Sequence, residues 1–110
     1  MAGGGSGWVH VPWYATVWRG DAFADALVEI APVAMRYGAR EWAVYRSRTD
    51  RYKFSQFALF DDELAWEAYW HGDEFNRFRR DHTGWYQVPV VHDWMDRMGA
   101  GALDPSLVED

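Results

Sequence analysis

The sequence predicts an α+β fold in which the elements run strand, helix, strand, strand, helix, strand, with the four strands in one antiparallel sheet and the helices on one of its faces. Three observations point there. Stretches that alternate residue by residue fall on either side of stretches with helical spacing. A short polar turn joins the two middle strands, which makes them an antiparallel hairpin. Finally, the run WEAYWHGDEFNRF from Trp66 to Phe78 carries five aromatic rings on two short helical pieces hinged at Gly72, and such a bent lid needs a broad apolar sheet beneath it.

Residues 1 to 7, MAGGGSG, have almost nothing to bury and read as a disordered leader, so a single folded domain is expected over 8 to 98. In VPWYATVW, Val11 to Trp18, residues Val11, Trp13, Ala15 and Val17 share one face and Tyr14, Thr16 and Trp18 the other, so a strand covered on both sides is expected, with Pro12 at its start or on an edge. His10 is expected in solvent just before it. Gly20 and Asp21 open a helix, Asp21 being the expected cap, and Phe23, Leu27, Ile30, Ala31 and Ala34 form its apolar stripe. Pro32 should kink or divide that helix and Gly38 should stop it.

REWAVYRS, Arg40 to Ser47, and YKFSQFALF, Tyr52 to Phe60, are the hairpin strands around the turn RTDR. Asp61 or Asp62 can cap the first piece of the lid, and Asp73 the second. Trp85 to Met95, WYQVPVVHDWM, is expected as the closing strand, with Val88, Val90, His92 and Trp94 on one face and Pro89 at an edge or bulge. Residues 99 to 110 read as a flexible acidic tail in which Leu103 and Leu107 could dock on a partner subunit, or which could engage another protein.

Of the 110 residues, 18% are aromatic and eight are Trp, more than a core of this size requires, so a ligand cavity or a subunit interface should take up the surplus, although plain core packing accounts for many of the rings. Because the strands are apolar on both faces, the face away from the helices also needs a cover, and a second copy of the chain is the natural one. The absence of cysteine excludes disulfides, thiolate metal sites and a cysteine nucleophile. A net charge of −6 argues against nucleic acid and anionic membrane surfaces as partners, and neither a membrane span nor a secretory leader is read in the chain, so a cytoplasmic protein is expected.

The passage from Tyr52 to Phe60 into Asp62, then Trp66, Tyr69, Asp73, Glu74 and Phe75, followed by the closing strand, resembles the antibiotic biosynthesis monooxygenase-like families over roughly residues 10 to 96. The resemblance implies a ferredoxin-like βαββαβ chain that pairs as a dimeric α+β barrel. It also implies membership of a group that includes cofactor-independent oxygenases of aromatic polyketides, haem-degrading oxygenases, cyclases, isomerases and proteins without demonstrated activity. The haem-degrading branch carries an Asn on the first strand, an aromatic residue on the second helix and an iron-binding His on the next. Here Tyr69 matches the aromatic position and Arg79 falls near the histidine's place, but the first strand has no Asn and His82 lies one turn later. Haem degradation is therefore not expected, and neither a cofactor nor a metal is called for.

Oxygenation of a phenol or hydroquinone without a cofactor needs a dry pocket, a base and a stabilised anion. His71, beside the Gly72 hinge, and His82, at the end of the second helical piece, are the candidate bases, while His92 on the closing strand is expected to be buried. Trp13, Phe54, Trp66 and Tyr69 are candidate walls for a hydrophobic, planar small-molecule ligand, with Tyr14, Tyr45 and Gln56 as orienting polar groups. Alternation alone leaves open whether Tyr45 and Gln56 face the helices or the seam between two copies. Two basic clusters, Arg46, Arg48, Arg51 and Lys53 around the hairpin and Arg77, Arg79 and Arg80 on the lid, would favour an anionic substrate where they border a pocket and are otherwise solvated faces. Arg79 is the candidate for substrate contact.

Overall fold

A computed structural model describes residues 5–103. The first four residues of the expected leader, and Leu107 of the expected tail, lie outside the described residues. The elements are β1 (Gly7–Tyr14), α1 (Gly20–Ile30), a 3-10 turn (Ala31–Tyr37), β2 (Glu41–Arg46), β3 (Lys53–Phe60), α2 (Glu63–Trp70), α3 (Asp73–Asp81) and β4 (Asp93–Met95). The four strands form one antiparallel sheet in the order β2-β3-β1-β4, the ferredoxin-like arrangement that the element order predicts.

The helices pack on the face that carries Val9, Val11, Trp13 and Ala15 of β1 and its continuation and Phe54, Gln56, Ala58 and Phe60 of β3, all buried. Phe23, Leu27 and Ile30 of α1, Trp66, Tyr69 and Trp70 of α2, and Phe75 and Phe78 of α3 complete this core. The opposite face carries Trp8, His10, Tyr14, Phe57 and Tyr45, none of them buried in the chain. His10 is thus not ahead of the first strand but within it, where it hydrogen-bonds Ser55 and stacks on Phe57.

Local chemistry explains most of the boundaries. Pro32 ends α1 and Gly38, at φ 107°, stops the 3-10 turn in a left-handed conformation that suits glycine. Asp62 caps α2, its carboxylate accepting from the Ala65 amide at 2.9 Å. Two expected caps are not formed. The Arg19 position precedes α1 without a side-chain cap, and Asp21 instead pairs with Arg46 at 2.9 Å; Gly72, not Asp73, is the cap position of α3. Gly72 is required there by contact, because a Cβ would sit 2.6 Å from the Ala68 carbonyl oxygen and 2.8 Å from the Tyr37 hydroxyl.

Both outer boundaries of the sheet differ from expectation. β1 starts at Gly7 and ends at Tyr14, four residues earlier than the alternation of Val11 to Trp18 suggests. The Trp8–His10 stretch pairs with β3 on one side and with β4 on the other, and Gly7 lies close under the Trp94 ring, where a side chain would not fit. Beyond Ala15 the chain turns away through Trp18, at φ 73°. Pro12 is tolerated in an inner strand because β4 reaches only from Trp8 to His10, so past that point β1 has a single neighbour.

The closing strand is shorter than the expected Trp85 to Met95. Tyr86 makes one isolated bridge to Ala15, residues 87 to 92 leave the sheet, and only Asp93–Met95 pairs as β4. Pro89 has no amide hydrogen to offer a ladder, and Val88 and Val91 are exposed. His92 is half-buried rather than in the core, its ring resting 5.0 Å from Trp66 and 5.7 Å from Trp70. Leu103 is fully exposed and docks on nothing within the described residues. No helix among the described residues is long and apolar enough to cross a membrane.

Candidate active site

Beneath the lid lies a buried chain of hydrogen bonds. The Trp13 indole Nε1 donates to Gln56 Oε1 at 3.0 Å, Gln56 Nε2 donates to the Tyr69 hydroxyl at 3.0 Å, and that hydroxyl donates to the Ile30 carbonyl oxygen at 2.8 Å. Every partner is thereby satisfied, as burial in an apolar core demands. Burial pushes the Tyr69 phenol well above its ordinary value, against a downward pull from the Gln56 hydrogen bond and the Arg79 charge, so Tyr69 stays neutral. Gln56 and Tyr69, with Trp66 beside them, are fully buried and form a closed floor. The Trp66 indole nitrogen is the one buried side-chain polar atom without a partner among the described residues.

Above this floor a cleft of about 370 Å³ opens between the lid and the segment that follows α3. Trp13, Trp70, His71, Arg79 and Tyr86 line it, and Val88 and Val90 form its outer wall. The bend at Gly72 sets the last turn of α2 against α3, which brings His71 and Arg79 to the same opening. The Arg79 guanidinium donates through Nη2 to the Trp70 carbonyl oxygen at 2.7 Å and through Nη1 to Asn76 Oδ1 at 3.0 Å. It lies over the rings of Trp70 and Phe75, 4.6 and 4.7 Å from their centroids. Desolvation lowers the Arg79 pKa while Tyr86 and Tyr69 pull it back up, and a guanidinium so placed keeps its charge.

The Tyr86 ring meets Trp13 edge-on at 5.0 Å. Burial raises its pKa and the nearby Arg79 lowers it, with no hydrogen bond contributing. His71 closes α2, and its Nε2 lies 3.1 Å from Glu67 Oε1. The cleft thus joins two indole walls, one half-buried cation, one phenol and one imidazole. A planar aromatic molecule fits such walls, an ionised oxygen fits the cation, and the imidazole can take a proton.

Of the residues expected at a site, Trp13, His71 and Arg79 come together here, and Gln56, Trp66 and Tyr69 are buried beneath them, while Phe54 packs against Phe23 under the Arg46 guanidinium. His82 does not join them. It ends α3 with Nδ1 2.7 Å from the Phe78 carbonyl oxygen, between the Phe78 and Trp85 rings, and faces a separate groove beside Asp81 and Glu29. Tyr14 donates to Asp50 at 2.5 Å beside the hairpin turn, and Tyr45 is exposed on the open sheet face against Phe57. Gln56 and Tyr45 therefore lie on opposite faces. Tyr86 and Trp70 went unassigned as site residues in the sequence; the bridge to Ala15 that aims Tyr86 inward has no local signature. Among the described residues no group of three or more His, Asp or Glu side chains is placed to hold a metal.

Comparison with solved structures gives close matches in architecture. PA3566 from Pseudomonas aeruginosa superposes with a TM-score of 0.76 at 18% identity, covering 90% of this chain and 100% of that one. A candidate antibiotic biosynthesis monooxygenase from Nitrosomonas europaea gives 0.75 at 14% identity, covering 86% and 92%. SnoaB, a cofactor-independent oxygenase from Streptomyces nogalater, solved as a point mutant, gives 0.72 at 11% identity, covering 86% and 95%. This chain has their fold. The ferredoxin-like architecture implied by the resemblance to the antibiotic biosynthesis monooxygenases is thus the one observed, and at these identities the likeness speaks for the fold alone. No protein-family model matches the sequence, and no curated protein matches it.

Proposed function

We propose that this chain is a small-molecule enzyme of the cofactor-independent monooxygenase kind, acting on a hydrophobic aromatic substrate, a quinol or a polyketide-like anthrone, in the Trp13–Arg79 cleft. The observation that carries this reading is the meeting of the Trp13 and Trp70 indole edges, the Arg79 guanidinium and the His71 imidazole at one opening between helices and sheet. Shared architecture with a cofactor-independent oxygenase supports it.

In this reading His71 takes a proton from the substrate, and Glu67 beside its Nε2 steadies the imidazolium. Arg79 faces the resulting enolate or phenolate oxygen. The substrate anion passes one electron to dioxygen, and the two radicals join in a carbon–oxygen bond. For an anthrone, the peroxide O–O bond then breaks, one oxygen staying as the new carbonyl and the other leaving as water with both hydrogens of the oxidised methylene carbon. The substrate supplies all the electrons, so no cofactor is needed.

The same reading includes a homodimer and a cytoplasmic site of action. A broad groove of about 510 Å³ on the open sheet face, lined by Trp8, Tyr45, Phe57 and Met95, supports a second copy as its cover.

Oxygen uptake by the purified chain with a panel of anthrones and hydroquinones tests the activity. Turnover that falls at least tenfold in Arg79→Gln supports it. A flat trace for every substrate would leave a noncatalytic dimeric binding or assembly module, in which the open face builds the dimer and the C-terminal tail engages a protein partner. A monomer at micromolar concentration would remove the dimer from either version.

A further inference from the structure

Trp18 is the one non-glycine residue among those described with a positive φ, 73°, and it is 90% exposed. An aromatic residue held in a left-handed conformation costs stability, and here the ring buries nothing in return. Beside it lies a cleft of about 420 Å³ that shares no residue with the Trp13–Arg79 cleft. Tyr52, Arg46 and Arg51 line it with Trp18.

The polar groups of this cleft are set in advance. Arg46 is held by its Nε donating to the Arg51 carbonyl oxygen at 2.8 Å, by Asp21 at 2.9 Å from Nη1, and by lying over the Phe54 ring. Gly20 makes room for it, since a Cβ there would come within 2.9 Å of Arg46 Nη2 and 3.2 Å of the Arg51 carbonyl oxygen. Asp21, which also lines the cleft, gives one carboxylate oxygen to Arg46. The Arg51 guanidinium makes only one hydrogen bond among the described residues, from Nη1 to the Ser47 carbonyl oxygen at 3.3 Å, so its other donors face outward.

From this arrangement we infer that the Trp18–Arg51 cleft binds a small planar aromatic anion, its ring against the Trp18 indole and Tyr52 and its carboxylate on Arg51, with Arg46 holding the cleft's shape. An indole face and a guanidinium fork are the two groups that such a ligand recognises. The solvent-facing strain at Trp18 then has a purpose, because it presents the ring to the cleft.

The test titrates 2-naphthoate into the full chain while two-dimensional NMR follows the Trp18 indole resonance, assigned with Trp18→Gly. The expected result is a saturable shift of that resonance and of the Gly20 and Arg51 amides. Trp18→Gly and Arg51→Gln should each weaken binding by about tenfold or more, whereas Arg79→Gln should not change it. Trp18→Gly should also melt at or above the temperature of the parent chain, which separates loss of binding from loss of fold. Shifts confined to Trp13, Trp70 and Arg79, no saturable shift at millimolar ligand, or equal binding by 2-naphthylmethanol or by the Trp18→Gly chain would overturn the proposal.

Discussion

Arg79 is tied to Trp70 twice, through a 2.7 Å hydrogen bond to that residue's carbonyl oxygen and through its guanidinium lying 4.6 Å from the indole centroid. One side chain thus holds the end of α2 to α3 across the Gly72 bend and supplies the charge of the candidate active site.

Replacing Arg79 with Lys should separate these duties. An ammonium keeps the charge but has no planar fork to span Trp70 and Asn76 together. We expect Arg79→Lys to lose about 1 kcal/mol in urea denaturation, and to keep more affinity for an anionic aromatic than Arg79→Gln does. Equal affinities for the two variants would show that the charge is not what the ligand reads.

Gln56 is the link on which the buried chain from Trp13 to Ile30 depends. Gln56→Leu should strand the Trp13 indole N–H and take the Tyr69 hydroxyl's donor away, at a cost of about 2–4 kcal/mol. Tyr69→Phe, which leaves Gln56 Nε2 unpaired and takes one donor from the Ile30 carbonyl oxygen, should cost about 1–3 kcal/mol. A double variant much less destabilised than the sum would confirm that the bonds act as one network.

At the bend, Gly72→Ala places a methyl group against the Ala68 carbonyl oxygen and the Tyr37 hydroxyl. The backbone must open to admit it, so about 1–3 kcal/mol of stability should be lost. Displacement of His71 and Arg79 should show as weakened ligand binding at temperatures where the variant remains folded.

His10 supplies a pH dependence. Burial holds its pKa below the ordinary imidazole value, against a weaker upward pull from Asp93. The unfolded chain therefore takes up a proton first as pH falls, so this histidine's contribution is intact at neutral pH and is lost as pH drops through the ordinary imidazole range. Stability measured from about pH 8 to pH 5 should fall less steeply in His10→Gln than in the parent chain. Identical slopes would exclude this role.

Much of the architecture was legible because its signals are local. Pro32, Gly38 and Asp62 act on the backbone within a few residues, and the alternation of Tyr52 to Phe60 marks β3 wherever it pairs. The ends of the sheet were harder to read, since alternation continues from Thr16 to Trp18 after pairing has stopped, and from Gln87 to Val90 before β4 has begun. The site was legible in part for the same reason. Arg79 and His71 flank a glycine bend visible in the letters. The inward aim of Tyr86 comes from a single bridge to Ala15, far back in the chain. Tyr45 and Gln56 could not be told apart because both sheet faces are apolar, and only the packing of the helices chooses between them.

Residues 87 to 92 are pinned at both ends, by the Tyr86 bridge with the Gln87 amide donating to the Tyr14 carbonyl oxygen at one end and by β4 at the other, yet between these points they belong to no ladder. Side chains in that span, Val88 and Val90 above all, can be exchanged without disturbing any strand pairing. Such a stretch leaves room for sequence change along one wall of the cleft while the sheet keeps its register.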